Sequence, residues 1–323
     1  ARIDYLDDAA GVLLTEPQRS NLITYSEDFS NASWTKQTGI TPTYNTTETL
    51  SPDGSYNATK FVGNGSSGVY VQATSLTGVI TRSVYLKSVT GTTTATFKDP
   101  YTSAITPISL TITNEWQRFE MIGDNGSSVQ GLWIDDIPSD GLYMWGSQLE
   151  EGSYPTSYIP TEGVAATRLA DVVTNAGDVN NFNSEEGVLF AEINFGQAHS
   201  SSRYIALSDG TNGNRVIMGV SANVTATLTT FVSSGGSTQA NMSFPINLSE
   251  NHKVALKYKE NDFSLWIDGV RVFSDNSGLT PIGLDTLRFS QGDLNNNFYG
   301  KTKNIQVFDA ALSDAELITL TTI

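Results

Sequence analysis

The sequence predicts an all-β protein made of two β-sandwich (jelly-roll) domains in tandem, and three observations support this fold class. Almost every periodic segment alternates apolar and polar residues with a period of two, as in residues 82–87, 142–149 and 263–273. Turn-forming residues separate these segments, and the pair Asp268–Gly269 between two alternating runs is a strong hairpin signal. Charged residues make up only 16% of the 323 residues, while Ser, Thr, Asn and Gly are abundant. That exchange is typical of β-rich surfaces.

The length and two soft segments predict the domain division. A chain of 323 residues corresponds to two domains or one large one. Pro155 and Pro160 bracket a segment that cannot donate freely to a strand ladder, and residues 175–183 are rich in Asn, Gly and Asp. We therefore predict domains at residues 1–170 and 171–323. Only the end of the chain is predicted to be helical, from the capping box Ser313–Glu316.

The charge balance excludes several classes of partner. A formal net charge of −16 disfavours binding to phosphate backbones and anionic membranes, so we expect no nucleic-acid partner. No apolar stretch is long enough to span a bilayer, so we expect no membrane insertion. The absence of cysteine excludes disulfides, thiolate metal sites and a cysteine nucleophile. Acidity suits calcium binding, although it also simply favours solubility.

The first half of the chain resembles a domain found in phage tail and prophage proteins. The residues that carry this resemblance include GVLLTEPQRSNL at 11–22, WGSQLEEG at 145–152 and TSYIPT at 156–161. Between them, segments such as RSVYLK at 82–87 look like the jelly-roll carbohydrate-binding modules of polysaccharide-degrading enzymes. The resemblance implies a virion or other extracellular location, a structural calcium ion, and sugar-stacking aromatic residues.

The second half is similar to the laminin-G/concanavalin-A-like lectin superfamily. The resemblance rests on GVLF at 187–190, HKVALKY at 252–258, LWIDG at 265–269 and the closing run IQVFDAALSDAE at 305–316. It implies a lectin-like β-sandwich but does not name a ligand.

Candidate carbohydrate-binding residues are aromatic residues on strands. Trp133 alternates with Leu132 and Ile134, so its ring is expected on the opposite sheet face. Trp266 alternates with its apolar neighbours in the same way, and the further platform candidates are Tyr70, Tyr85, Tyr101 and Tyr204. Flat aromatic faces suit the C–H surface of a pyranose ring. For each tryptophan the alternative is that its ring covers the sheet against a loop or a neighbouring domain.

Candidate calcium ligands follow from the first resemblance. It points to Glu27 and Asp28 in an early loop, with Glu150 on the closing strand. Oxygen ligands from two distant segments would tie the sandwich together in a chain without disulfides. The alternative is that Glu27 and Glu150 are solvated or paired with Arg19 or Arg168.

The sequence gives little support for catalysis. A glycosidase needs two opposed carboxylates, and nothing distinguishes Asp135, Asp136, Glu150 or Glu151 from ordinary surface acids. The only histidines, His199 and His252, have no obvious catalytic partner and are expected to be structural or solvated.

The leading functional hypothesis is a non-catalytic virion protein, a tail fibre or related appendage, that binds host-surface carbohydrate. Phage fibres are usually trimers, so the resemblance implies a homotrimer or contacts with other virion proteins. Three alternatives remain: a carbohydrate-binding segment of a secreted bacterial polysaccharide-degrading enzyme, a structural capsid or tail decoration protein without a glycan site, and a hydrolase or lyase.

Overall fold

The computed structural model describes residues 2–5, 8–74, 76, 78–124, 126–174, 176–197, 201–222 and 226–323. His199 lies outside these residues. The described secondary structure comprises the following strands and one helix: β1 Arg2–Asp4, β2 Val12–Thr15, β3 Arg19–Asn21, β4 Thr35–Lys36, β5 Thr41–Thr43, β6 Thr59–Val62, β7 Val69–Thr74, β8 Ile80–Ser88, β9 Thr93–Lys98, β10 Ile108–Ile112, β11 Gln117–Gly123, β12 Val129–Asp135, β13 Leu142–Glu151, β14 Ala166–Arg168, β15 Glu186–Asn194, β16 Arg203–Ser208, β17 Arg215–Val220, β18 Thr227–Ser234, β19 Ser237–Pro245, β20 His252–Lys259, β21 Phe263–Ile267, β22 Val270–Asp275, β23 Thr286–Arg288, β24 Gly300–Phe308 and α1 Asp314–Thr321.

The middle of the chain, Gln18–Leu169, forms one compact unit, here called the middle unit. Its first sheet, sheet I, has the strand order β10-β9-β12-β7-β4, and its second, sheet II, has the order β11-β8-β13-β6-β5. A short ladder of β14 and β3 completes it. The core contains alternate residues of both sheets, including Phe61, Val84, Phe97 and Leu132. Alternate burial along paired antiparallel strands is the pattern of a β-sandwich.

The second unit, here called the terminal unit, combines both ends of the chain: residues up to Pro17 and Ala170–Ile323. Its sheet III has the order β1-β2-β24-β15-β20-β21-β22, and its sheet IV has the order β19-β18-β17-β16-β23. Leu189, Leu207, Met218, Leu256 and Leu265 contribute to its core. An all-β protein with two β-sandwich units is therefore confirmed.

The N-terminal segment departs from the predicted division, which placed residues 1–170 in one domain. Strand β2 pairs antiparallel with β24 of the terminal unit, with Leu13 opposite Thr302 and Thr15 opposite Gly300. The Thr15 hydroxyl also donates to the Phe298 carbonyl at 2.9 Å. The predicted boundary at residue 170 lies one residue from the observed limit at Leu169. The prediction that the first domain starts at residue 1 was wrong. The pairing of β2 with β24 joins opposite ends of the chain, and such a pairing leaves no local pattern in the sequence.

The local signals of the terminal unit were interpreted correctly. Asp268 and Gly269 have φ values of 50° and 81° and connect β21 to β22, as an Asp-Gly hairpin requires. Ser313 caps α1, and the capping box with Glu316 is formed in both directions. Among the described residues, no helix has the length and hydrophobicity needed to cross a membrane.

Candidate functional site

The candidate site lies on the outer face of sheet I, opposite the core of the middle unit. Leu132 and Ile134 are buried in that core, so Trp133 between them projects from the other face. Tyr70 on β7 is the cross-strand partner of Trp133 on one side, and Lys98 on β9 is its partner on the other. Thr35 on β4 extends the row beyond Tyr70. The strand register therefore aligns these four side chains across the sheet.

Aromatic rings dominate this row. The rings of Tyr70 and Trp133 lie 5.5 Å apart at 51° to each other. Tyr101, in the loop that follows β9, is 41% exposed. Burial raises the pKa of the Tyr101 hydroxyl, and the neighbouring hydroxyl of Tyr70 adds to this effect. We call Tyr70, Tyr101 and Trp133 the aromatic platform.

A lysine and a carboxylate complete the face. The Lys98 ammonium lies 3.8 Å from the centroid of the Trp133 ring. The same ammonium forms an ion pair with Asp135 Oδ2. The side chain of Asp135 is only 9% exposed. Lys98 was not identified from the sequence, because its position opposite Trp133 depends on the strand register. Asp135 was considered only as a catalytic acid, a role that the sequence did not support.

A buried ion pair on the core side of sheet I supports the platform. Arg82 and Asp99 are both fully buried, with Arg82 Nη2 2.6 Å from Asp99 Oδ2. Asp99 accepts hydrogen bonds from the backbone N–H of Tyr101 at 2.8 Å and of Gly131 at 3.2 Å. Burial lowers the pKa of the Arg82 guanidinium, and Asp99 partly offsets that effect. The pair therefore positions the Tyr101 loop and the strand that carries Trp133.

Trp266, the second predicted platform residue, does not present a ring face to a ligand. It is 3% exposed and packs in a small cluster with Val188, Phe190, Ala255 and Leu317. Leu317 belongs to α1, which covers this face of sheet III. The alternative that Trp266 covers its sheet is therefore the correct one.

Tyr204, the third candidate, is also mostly buried, at 7% exposure. Its ring packs edge-on against Phe231 at 6.1 Å, and its hydroxyl lies 2.8 Å from the Ser221 hydroxyl. An ideal Cβ at Gly219 would come within 2.5 Å of the Tyr204 ring, so the ring lies against the sheet surface. Little of the ring is left for a sugar to stack on.

The three predicted calcium ligands do not form one group. Glu150 is fully buried, and its oxygens accept hydrogen bonds from the Gln148 amide, the Thr156 N–H and the Thr156 hydroxyl at 2.7–2.8 Å. Arg19 Nε lies 3.7 Å from the same carboxylate, as the alternative interpretation expected. Glu150 thus holds the chain after β13 through its hydrogen bonds to Thr156.

Glu27 and Asp28 instead line a cavity of about 530 Å³ together with Tyr25, Asn45 and Asn57. Glu27 accepts hydrogen bonds from Tyr158 at 2.9 Å and from Asn57 at 2.7 Å. Burial raises the pKa of Glu27, and the nearby Asp53 contributes in the same direction. Within the described ranges, no group of three or more His, Cys, Asp or Glu residues could hold a metal ion. Calcium binding at this loop stays a prediction.

Known proteins similar to this chain are found among solved structures, at low sequence identity. No protein-family model matches the chain, and no curated protein matches it. The chain is similar to the IT-sialidase CBM40 from Ruminococcus gnavus, at 16% identity, over 47% of this chain and 97% of that structure, with a TM-score of 0.38. It is similar to a SAP-like pentraxin from Limulus polyphemus, at 14% identity, over 45% of this chain and 73% of the other, with a TM-score of 0.37.

A further similar structure is domain 4 of AbnA, a GH43 extracellular arabinanase from Geobacillus stearothermophilus, in complex with arabinotriose. The match has 11% identity and a TM-score of 0.38 and covers 53% of this chain and 84% of the other. Matches at these identities and TM-scores do not assign a ligand, so ligand recognition has to be argued from the side chains of this chain.

Proposed function

We propose that the chain is a non-catalytic carbohydrate-binding protein and that the aromatic platform on sheet I is its principal binding site. The observation that carries this proposal is the alignment of Tyr70, Trp133 and the exposed Tyr101 on a sheet face that has a carboxylate beside it. Aromatic faces take the C–H surface of a pyranose, and polar groups at the edge select its hydroxyls.

The platform is a surface feature, so each site is expected to bind weakly. Weak sites become useful when several copies act together, because linked sites raise the overall avidity without any new contact. A homotrimer or another repeated arrangement is therefore part of the proposal. Analytical ultracentrifugation of the purified chain tests this arrangement. If the chain is a monomer at all concentrations, several copies can act together only when other proteins assemble them.

The direct test of the platform is Trp133→Ala, measured by affinity electrophoresis and calorimetry against a panel of soluble polysaccharides. We expect the dissociation constant of a retained polysaccharide to rise at least about tenfold, the effect of a modest binding hot spot. Trp116→Ala is the matched control, because Trp116 belongs to the same unit but its indole donates to the Leu50 carbonyl at 2.7 Å, on a different loop.

A second pair of variants tests the platform at its exposed end. Tyr101→Ala should weaken binding, whereas Tyr56→Ala, which removes a 53% exposed tyrosine of the middle unit outside the platform, should not. Equal affinity in the wild type, Trp133→Ala and Tyr101→Ala would refute the proposed site. No retained polysaccharide at millimolar concentration would instead favour the decoration-protein alternative.

The finer proposal is that this binding serves a virion appendage, a tail fibre or related protein, at a host surface. The sequence motifs of the first half, at residues 11–22, 145–152 and 156–161, support this context. Mass spectrometry of purified phage particles tests it directly. Recovery of the chain only in secreted fractions, joined to a polysaccharide-degrading enzyme, would favour the alternative context.

The absence of catalysis is also a proposal. The acids nearest the platform each have a partner within the protein: Asp135 Oδ2 pairs with Lys98, and Asp136 accepts a hydrogen bond from the Thr96 hydroxyl at 2.6 Å. His252 lies between the Asp268 carboxylate at 2.7 Å and the Asn247 carbonyl at 2.8 Å, which is a structural role. Release of reducing ends or unsaturated products from any polysaccharide of the panel would overturn this part.

A further inference from the structure

Lys98 occupies the place on the platform where a sugar would stack. Its ammonium lies 3.8 Å from the centroid of the Trp133 ring, directly across the strand pair. The same ammonium is paired with Asp135, while the Lys98 side chain stays 25% exposed. A lysine side chain has a flexible stem, so this cover can move without any change in the backbone.

The two side chains that Lys98 contacts each carry a buried polar atom without a hydrogen-bond partner among the described residues. Trp133 Nε1 and Asp135 Oδ1 are buried, and neither has a hydrogen-bond partner within the described residues. An ideal Cβ at Gly68 would come within 2.5 Å of Trp133 Nε1 and 2.6 Å of the Asp135 Cα, so the backbone of Gly68 packs closely against both residues. Unpartnered buried donors and acceptors are unusual, because each loses its hydrogen bonds to water without replacement.

The chemistry of these two atoms defines what they would bind. An indole N–H only donates a hydrogen bond, and an ionised carboxylate oxygen only accepts one. A ligand that satisfies both must present an acceptor and a donor side by side on a ring that stacks against Trp133. Neighbouring hydroxyl groups of a pyranose meet this requirement. A ligand carboxylate or sulfate would instead face Asp135 and a protein of net charge −16.

We propose that Lys98 covers a subsite for a neutral pyranose with two neighbouring hydroxyl groups, and that the sugar displaces Lys98 when it binds. One hydroxyl donates to Asp135 Oδ1, and its neighbour accepts from Trp133 Nε1. The displaced ammonium stays near the rim, where it can donate to another sugar oxygen. This inference rests on the proposed function, since it names the ligand class of the same platform.

Two substitutions test the role of the cover and of the carboxylate. Lys98→Met keeps the apolar stem but removes the charge that competes for the ring and for Asp135. We expect neutral oligosaccharides to bind Lys98→Met about threefold to tenfold more tightly than the wild type, which is the range set by the loss of one cation–π contact. Asp135→Ala removes the acceptor, and we expect it to weaken binding about tenfold or more.

The probes are hexasaccharides of cellulose, xylan and β-1,3-glucan as neutral ligands, oligogalacturonate as the acidic ligand and chitosan hexamer as the cationic one. Lys60→Met is the matched control. Lys60 lies on β6 of sheet II in the same unit, and its ammonium is paired with Glu48. This variant should leave the affinity unchanged. A thermal unfolding curve of each variant shows that the protein is folded under the binding conditions.

The indole N–H resonance of Trp133 is a readout on the protein that does not depend on a measured affinity. The chain has five tryptophans, and Trp133→Phe identifies the Trp133 signal among the five. We expect a neutral oligosaccharide to move this signal downfield, as a new hydrogen bond requires, while the signals of the buried Trp34 and Trp145 stay in place.

The outcomes separate this inference from the proposed function. Loss of binding in Trp133→Ala, with no gain in Lys98→Met or no loss in Asp135→Ala, would overturn the subsite and leave the platform standing. Unchanged binding in Trp133→Ala, or no binding of any neutral probe, would overturn both. Preference for the acidic or the cationic probe would overturn the neutral ligand class alone.

Discussion

The buried pair Arg82–Asp99 offers the sharpest test of how the sandwich core supports the platform. Arg82 lies in the core of the middle unit and donates to Asp99 and to the Gln130 side chain at 2.6 Å each. It also donates to the Gly131 carbonyl at 2.7 Å and to two further backbone carbonyls at 3.1 and 3.4 Å. Four of these five hydrogen bonds are buried, so their acceptors would lose a partner that water does not readily replace if the guanidinium were absent.

We therefore predict that Arg82→Met destabilises the middle unit by about 3–5 kcal/mol, the cost of leaving one charge of a buried pair without its partner. The methionine fills much of the volume, so the loss comes from Asp99 and Gln130 rather than from a cavity. A single domain is stable by roughly 5–15 kcal/mol, so the change removes a large fraction of the total. Urea unfolding, followed by the tryptophan fluorescence to which the buried Trp34 of the same core contributes, measures the loss.

The double variant Arg82→Met/Asp99→Leu should recover much of this stability, because it removes both charges together. Sugar binding should not recover with it, because Asp99 also holds the Tyr101 and Gly131 N–H groups. Lys60→Met, which breaks the partly exposed pair with Glu48, should cost less than about 1 kcal/mol. A loss below about 1 kcal/mol in Arg82→Met, or a double variant less stable than Arg82→Met, would refute the reasoning.

Three further predictions concern other parts of the chain. Trp266→Ala should lower the free energy of unfolding of the terminal unit by about 3–5 kcal/mol. It should leave sugar binding unchanged, because α1 covers the Trp266 ring. Calorimetric unfolding measures the first effect and affinity electrophoresis the second. Burial raises the pKa of Glu27, so its ionised form opposes folding and stability should rise as the pH falls through that elevated pKa; in paired urea titrations, Glu27→Gln should lack this rise, and parallel curves would contradict it. Burial and the hydrogen bond to Glu48 raise the pKa of Tyr143 to about 12, so Glu48→Gln should lower the pKa of its tyrosinate transition, which alkaline ultraviolet titration detects.

The period-two pattern predicted the strands and the sheet faces but not which faces are covered. Trp133 and Trp266 both alternate with core residues, and both project from the outer face of a sheet. Trp266 is covered because α1, about fifty residues later in the chain, packs over it. Alternation identifies the opposite face, whereas coverage depends on tertiary contacts that a single strand does not encode.

The site residues that the sequence missed are those that depend on strand register. Lys98 lies in an ordinary alternating strand and becomes significant only because β9 and β12 place it opposite Trp133. Glu150 was linked to Glu27 by family resemblance, but the chain after β13 returns and gives Thr156 to the Glu150 carboxylate. For Lys98 the missing information is the pairing of two strands, and for Glu150 it is the path of the loop that follows β13.

The core and the platform are connected through Asp99, and this connection has a consequence for affinity. Because Arg82 holds Asp99 inside the core, the Tyr101 loop and the strand bearing Trp133 are already ordered before a ligand arrives. Ordering the site on binding would otherwise reduce the affinity. For the proposed sugar to stack, Lys98 has to leave the Trp133 ring and Asp135. The affinity of the platform should therefore depend more on the charge at residue 98 than on the flexibility of its loops.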